Sequence, residues 1–241
     1  MTKPAIIIPD NKGIHNASDY AARLDKSKSY RDLSTVIICP TRGLIPARIV
    51  QSWQGLMRPM NQKVVGPIFM QGMEVGEAYN QAIKMILENP ELSKYRFILT
   101  IEEDNSPPPD GLLKLYESID DYDAVGALYW TKGPDGQPMC YGNPNVKPTN
   151  FIPQNPAPDS ITPCNGLGQG FTLFRTEMFK DKGFEYGKWF KTEQSYDPYR
   201  GAKAYTQDLY FFEKAIGLGY KMACDARVRV GHYDYGQDIM W

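Results

Sequence analysis

The segment Tyr95-Arg-Phe-Ile-Leu-Thr-Ile101 runs straight into Glu102-Glu103-Asp104-Asn105. A near-continuous apolar run of this kind reads as a strand buried on both faces, the pattern of a parallel sheet. Three acids in a row at its carboxyl end repel one another, so a fold keeps them there only if they stay wet or meet a cation. Ligands in open α/β sheets bind at the carboxyl ends of strands. Oxygen donors of this type suit Mg2+ or Mn2+, which take one or two carboxylates and complete their shell with substrate phosphates. The position of the acids after a buried strand favours a cation site over a solvated acidic turn.

The flanking pattern alternates between strand and helix. Thr35–Cys39 is a β-branched apolar run that stops at Pro40-Thr41-Arg42-Gly43, and Ala47–Trp53 then reads as a helix. Lys63–Met70 reads as a second strand. Glu74–Glu88 puts Val75, Ala78, Ala82, Ile83, Ile86 and Leu87 in a helical stripe that Asn89-Pro90 ends. Asp110–Ile119 is a predicted helix and Asp123–Trp130 a strand. This alternation predicts an α/β open sheet.

Beyond Trp130 the character changes. Lys132–Pro163 is rich in Pro, Gly and Asn and reads as a long loop or an irregular hairpin. Phe171–Phe174 is a predicted strand, and Thr206–Ile216 a helix stopped by Gly217 and Gly219. Tyr220–Cys224 and Val228–Val230 read as two short strands. Residues 1–33 stand apart as an N-terminal extension, with a short strand at Ala5–Ile8 and a helical turn at Tyr20–Leu24.

Composition narrows the class. A chain of 241 residues can bury a sizeable core without metals or disulfides. With 27 Lys and Arg against 28 Asp and Glu, a broad basic nucleic-acid face is disfavoured. Mean hydropathy is −0.46 and no apolar run approaches the roughly 20 residues that span a bilayer. The apolar stretch near the N-terminus is too short for a signal peptide, so the expectation is a soluble, cytoplasmic protein. Cys39, Cys140, Cys164 and Cys224 have no metal or redox spacing and are expected as buried free thiols.

Three further signals carry chemistry. His232 follows the short strand Arg227–Val230, and a neutral imidazole is a common metal ligand. His15 lies in an uninformative stretch and receives no role. Gln207-Asp208 opens an amphipathic helix, where an acid either answers the helix dipole or serves as a general base. Asn165-Gly-Leu-Gly168-Gln169-Gly170 enters a strand, and its glycines permit close backbone approach to a ligand. No helix opens after it, so it is not a dinucleotide fingerprint.

In order and spacing these pieces resemble the nucleotide-sugar-dependent glycosyltransferases of the GT-A fold, in particular the family 2-like group, over roughly Ser34 to Asp234. The resemblance implies a mostly parallel, Rossmann-like central sheet flanked by helices, with an irregular C-terminal acceptor-side half. It implies a single domain over 34–241, divided into a nucleotide-binding half (34–130) and an acceptor-side half (131–241).

Pro40, Thr41 and Arg42 match the family's loop that meets the nucleotide. Ala78-Tyr79-Asn80-Gln81-Ala82 matches a helical segment that follows it, implicating Asn80. Glu102-Glu103-Asp104 stands where the family has its Asp-x-Asp metal motif, with Asp104 the first metal ligand, Glu102 the second, and Glu103 facing the ribose or another strand. Gly168, Gln169 and Gly170 match an element beside the sugar pocket. Asp208 matches the base of inverting members, and His232 the late histidine that completes metal binding. Trp130, Trp189 and Tyr205 are candidates for stacking on a sugar or base.

The implied reaction is metal-dependent transfer, with Mn2+ or Mg2+, from a nucleotide-diphosphate sugar to an acceptor hydroxyl with inversion. A UDP-sugar is the default donor. The acceptor is expected to be a saccharide or glycan, with a protein or modified nucleobase left open. Two rivals stand beside this reading. One is a nucleotidyltransferase of related fold, for which the Pro40–Pro46 loop is poor in Gly and Lys. The other is a non-catalytic sugar- or nucleotide-binding module. Oligomeric state is open.

Overall fold

The computed structural model describes residues 31–197 and 201–241. The expected strand at Ala5–Ile8, the turn at Tyr20–Leu24 and His15 lie outside the described residues, as does the side chain of Tyr205. In chain order the elements are β1 (Thr35–Thr41), α1 (Ala47–Gln54), β2 (Val64–Gln71), α2 (Val75–Glu88), β3 (Phe97–Ile101), β4 (Asn105–Ser106), α3 (Gly111–Ser118) and β5 (Ala124–Leu128). There follow β6 (Cys140–Tyr141), β7 (Ile161–Cys164), β8 (Gly166–Leu167), β9 (Phe171–Arg175), β10 (Glu193–Asp197), β11 (Gly201–Tyr205), α4 (Gln207–Gly217), β12 (Met222–Arg229), β13 (Gly231–Asp234) and β14 (Ile239–Met240).

Seven strands form the central sheet, in the order β2-β1-β3-β9-β5-β12-β7. β1 pairs in parallel with β2 and β3, and β12 with β5. β9 runs against both β3 and β5, and β7 against β12. Five of the seven strands therefore share one direction, and the expected mostly parallel sheet is present. The reversal of β9 has a positional effect. Phe171, at its amino end, pairs with Ile101 at the carboxyl end of β3. The glycine-rich segment before β9 is thereby delivered to the rim where the acids stand.

Alternation along the strands builds two cores. Val36, Ile38 and Ile98 face Tyr79, Ala82, Ile83 and Ile86 of α2 and Phe211, Phe212 and Ala215 of α4. Ile37, Cys39, Leu99 and Ile101 face Leu112, Leu115 and Tyr116 of α3. Every residue of β3 is buried, as its apolar run predicts.

The structure corrects the sequence reading in three places. The two short strands expected near the C-terminus are one strand, β12. The polar Asp225 and Arg227 that suggest a break are retained inside it. Asp225 is fully buried, accepts from Ser118 Oγ at 2.6 Å and pairs with the Arg227 guanidinium at 2.7 Å. A buried charge persists in a strand when it is paired and hydrogen-bonded. Second, Lys132–Pro163 is mostly irregular but contributes β6 and most of β7, the latter adding an edge to the sheet. Third, Trp189 is no stacking platform. It is fully buried, edge-on to Phe179 in an aromatic cluster with Tyr186.

The four cysteines are buried free thiols, as expected. Cys140, Cys164 and Cys224, far apart in sequence, belong to one cluster of the core.

Candidate active site

After β3 the chain turns sharply, with Asn105 N donating to Glu102 O at 3.0 Å. The turn feeds β4, whose partner is β13, and the register sets His232 opposite Asn105. Tyr233 N donates to Asp104 O at 2.7 Å and fixes the junction. A two-residue strand thus carries the distant histidine to the acidic tip. His232 Nε2 lies 3.6 Å from Asp104 Oδ2, with both side chains largely buried.

The other ring nitrogen settles the tautomer. His232 Nδ1 is 2.7 Å from the carbonyl oxygen of Trp130, which can only accept, so Nδ1 carries the proton. A neutral ring, the form that binds a metal, then presents the Nε2 lone pair to the carboxylate, whereas a ring that donates from Nε2 to Asp104 carries both protons. Histidines that bind metals commonly donate their second N–H to a backbone carbonyl in this way.

The three acids diverge instead of crowding. Glu103 turns toward the β1 loop. Its Oε2 accepts from Thr41 Oγ1 at 2.6 Å and from Arg42 N at 2.8 Å, and its Oε1 pairs with Arg42 Nε. This arrangement ties together Thr41, Arg42 and Glu103, and Pro40 brings β1 into the loop.

Glu102 turns the other way and accepts from Tyr79 Oη at 2.9 Å. Burial first, and the neighbouring Asp104 charge next, push its carboxyl up to about 7, against the opposing Tyr79 hydrogen bond. Asp104 behaves oppositely. Burial raises it, but His232 and Lys132 outweigh that and hold it below the usual carboxylate range. Of the two acids expected as ligands, Asp104 is the ionised one and Glu102 is close to neutrality.

The glycine-rich segment approaches closely, but what it approaches is the protein itself. A Cβ at Gly168 would lie 2.2 Å from Tyr129 Oη, and one at Gly170 would lie 2.5 Å from Asn105 Oδ1. Gly170 N donates to Tyr129 Oη at 2.8 Å, and Gly170 O accepts from Glu102 N at 3.2 Å. On the Cβ side, the missing side chain makes room for Tyr129 and Asn105. Two polar side chains beside them are left without partners. The amides of Gln169 and Asn105 are buried, and among the described residues neither has a partner at either end. A buried orphan amide is costly and calls for a ligand or solvent partner.

Asp208 opens α4 and is 5% exposed. Its charge is felt by Glu102, Tyr129 and Tyr141, which places it on the same side of the sheet as the acids. Burial raises its carboxyl pKa, against hydrogen bonds from Thr206 and Leu209. Asn80 is used differently from the sequence expectation. Its Nδ2 donates to Phe190 O at 2.8 Å and its Oδ1 accepts from Phe190 N at 2.9 Å, so the amide secures the Phe190 backbone. Trp130 acts through its carbonyl, on His232.

Sequence reasoning missed four residues. Tyr79 holds Glu102. Tyr129 holds Gly170 and meets the His232 ring edge-on at 5.5 Å. Lys132 Nζ lies 2.5 Å from Asp104 Oδ2. Tyr235 donates to Glu103 O at 3.2 Å, with the Arg42 guanidinium 4.8 Å above its ring. Lys132 was open to discovery, because it follows a strand at the same carboxyl rim. The tyrosines read as core residues in any sequence.

The donor set fits a divalent cation of the expected kind. Among the described residues no group of three or more His, Cys, Asp or Glu side chains forms a metal cage of its own. Mg2+ or Mn2+ takes one or two carboxylates from a protein when phosphates complete its shell, and here the His232 imidazole adds a nitrogen donor beside Asp104. Two neighbouring octahedral ligands each about 2.1 Å from an ion stand about 3.0 Å apart, so Asp104 and His232 at 3.6 Å would close by a few tenths of an ångström around one.

No protein-family model and no curated protein matches the sequence. Solved structures do resemble it. The crystal structure of A197 from STIV is similar with a TM-score of 0.55 and 17% identity, over 83% of this chain and 86% of that one. The crystal structure of GalNAc-T7 with UDP, GalNAc and Mn2+ is similar with a TM-score of 0.53 and 11% identity, over 85% of this chain and 44% of that one. At such identities the likeness is one of fold. The chain has a GT-A-like α/β fold with a mostly parallel sheet flanked by helices. No helix among the described residues is long and apolar enough to cross a membrane.

Proposed function

We propose that the chain is a glycosyltransferase, family 2-like, that moves a sugar from a nucleotide-diphosphate donor to an acceptor hydroxyl. The carrying observation is the convergence of Asp104 and His232, with Trp130 fixing the imidazole lone pair toward the carboxylate. Support for the donor comes from the fold shared with GalNAc-T7, whose structure holds UDP, GalNAc and Mn2+. A UDP-sugar is the default donor and a saccharide or glycan the expected acceptor.

In this reading Asp104 and His232 hold Mn2+ or Mg2+, with Glu102 beside them. When bound, the ion neutralises the charge that develops on the leaving diphosphate. Thr41, Arg42 and Glu103 receive the nucleoside side of the donor. Gln169 and Asn105 offer their unpaired amides to the sugar. Asp208 accepts the proton of the attacking hydroxyl, and its raised pKa makes it a better base than an exposed aspartate. Direct attack inverts the anomeric centre.

The test is a thermal-shift panel of nucleotides and nucleotide sugars with and without Mn2+, followed by NMR of the product's anomeric proton. A donor that binds the native state raises the melting temperature by mass action. Failure of every nucleotide sugar to shift it, with and without the metal, rejects the reading.

A further inference from the structure

One oxygen at the candidate site has two claimants. Asp104 Oδ2 faces His232 Nε2 at 3.6 Å, and the same atom is 2.5 Å from Lys132 Nζ. A dication held by Asp104 and His232 needs that oxygen. An ammonium and a divalent ion cannot share it closely, because like charges at such a distance repel strongly in a partly buried site.

The backbone that presents Lys132 is fixed. Thr131 N donates to Gln137 O at 2.9 Å, Gln137 N donates back to Thr131 Oγ1 at 2.8 Å, and Trp130 bridges to Pro138. The same short segment therefore carries the carbonyl that orients His232 and the ammonium that faces Asp104. The side chain itself is free to leave. It is 29% exposed, on a flexible four-carbon stem. From its place at Asp104, Nζ is already 5.8 Å from the ring centre of Tyr235, which Arg42 also approaches at 4.8 Å. Aromatic faces attract cations at about that range. The remaining acids do not compete for it, because Glu103 is taken by Arg42 and Glu102 by Tyr79.

We propose that Lys132 is a tethered counter-ion that shares Asp104 with the divalent cation. The ammonium neutralises the carboxylate in the donor-free protein and leaves it when the dication binds. Metal uptake is then an exchange of cations at one oxygen, opposed by the protein's own side chain until a diphosphate arrives to supply further ligands. This inference rests on the cation site proposed above. Lys132 is a positioning residue in this scheme, acting through Asp104.

The experiment titrates Mn2+ alone into the full chain, read by electron paramagnetic resonance of the free ion, for wild type, Lys132→Met, Lys132→Gln, Asp104→Asn and the Lys132→Met/Asp104→Asn double variant. Both Lys132 variants are expected to bind Mn2+ about tenfold more tightly than wild type, the scale of one partly buried charge-assisted pair. The gain is expected to vanish in the double variant. A merely structural lysine would not raise metal affinity when removed. If both Lys132 variants bind Mn2+ no more tightly than wild type, or either gain survives without Asp104, the exchange is wrong. A variant that has lost the native circular dichroism spectrum is set aside, and the other carries the comparison. A parallel titration with UDP present separates the two readings. UDP-dependent Mn2+ binding by wild type without a gain in the Lys132 variants overturns the exchange and leaves the donor site standing. A gain in the variants without any UDP effect upholds the exchange and removes the donor.

Discussion

Asp104, in the turn before β4, and His232, on β13, meet side by side, Oδ2 to Nε2 at 3.6 Å, because the two-residue β4 pairs with β13. Asp104→Ala is expected to abolish the Mn2+-dependent part of any stabilisation by a UDP-sugar while leaving the metal-free part. Saturation at 100 times Kd is worth about 2.7 kcal/mol. Differential scanning fluorimetry with paired EDTA controls measures it. An undiminished Mn2+ increment in the variant would sink the ligand assignment.

Asp208→Asn should bind the donor with wild-type affinity and lose transfer by about 10²- to 10⁴-fold, the usual contribution of a general base. The assay is nucleotide release coupled to acceptor consumption. Full turnover in the variant removes Asp208 from the role.

Stability should depend on pH through Glu102. Its carboxyl moves from 4.5 in the unfolded chain to about 7 in the fold, burial being the main cause. Between those values the folded protein holds the proton that the unfolded chain has lost. The contribution is therefore fully present below about pH 4.5 and declines as pH rises toward 7. Glu102→Gln should flatten this slope in urea titrations, leaving that of Asp208, which burial moves in the same direction. Equal slopes in variant and wild type would contradict the assignment.

Gly168→Ala should destabilise by about 1–3 kcal/mol, since the new methyl would sit 2.2 Å from Tyr129 Oη. Tyr129→Phe removes that oxygen, so the two substitutions together should cost less than the sum of their separate effects. A double-mutant cycle in chemical denaturation reads the coupling. Strict additivity would mean that the clash is relieved elsewhere.

The sheet was legible wherever a pattern is local. β3 announced itself by an unbroken apolar run, and α2 by its one-sided stripe. What sequence could not show depends on long-range pairing. The direction of β9 follows from which neighbours it joins, and its own five residues do not encode that. The union of β12 depends on Ser118 and Arg227 reaching a buried Asp225. At the site, Asp104 and His232 were nameable as chemistry, whereas the carbonyl of Trp130 and the ammonium of Lys132 act through positions no motif describes. Asn80 matched a motif, and its amide secures the distant Phe190 backbone, which no motif describes.

The pairing of Asp225 with both Ala127 and Ile161 sets the level at which the chain leaves β5 and rejoins at β7. Residues 129–160 therefore begin and end at one lip of the sheet. Insertions or deletions between 143 and 160 change this lip and leave the registers of the seven-stranded sheet untouched. The length of this excursion can change on such a scaffold while Trp130 and Lys132 at its start keep their hold on His232 and Asp104.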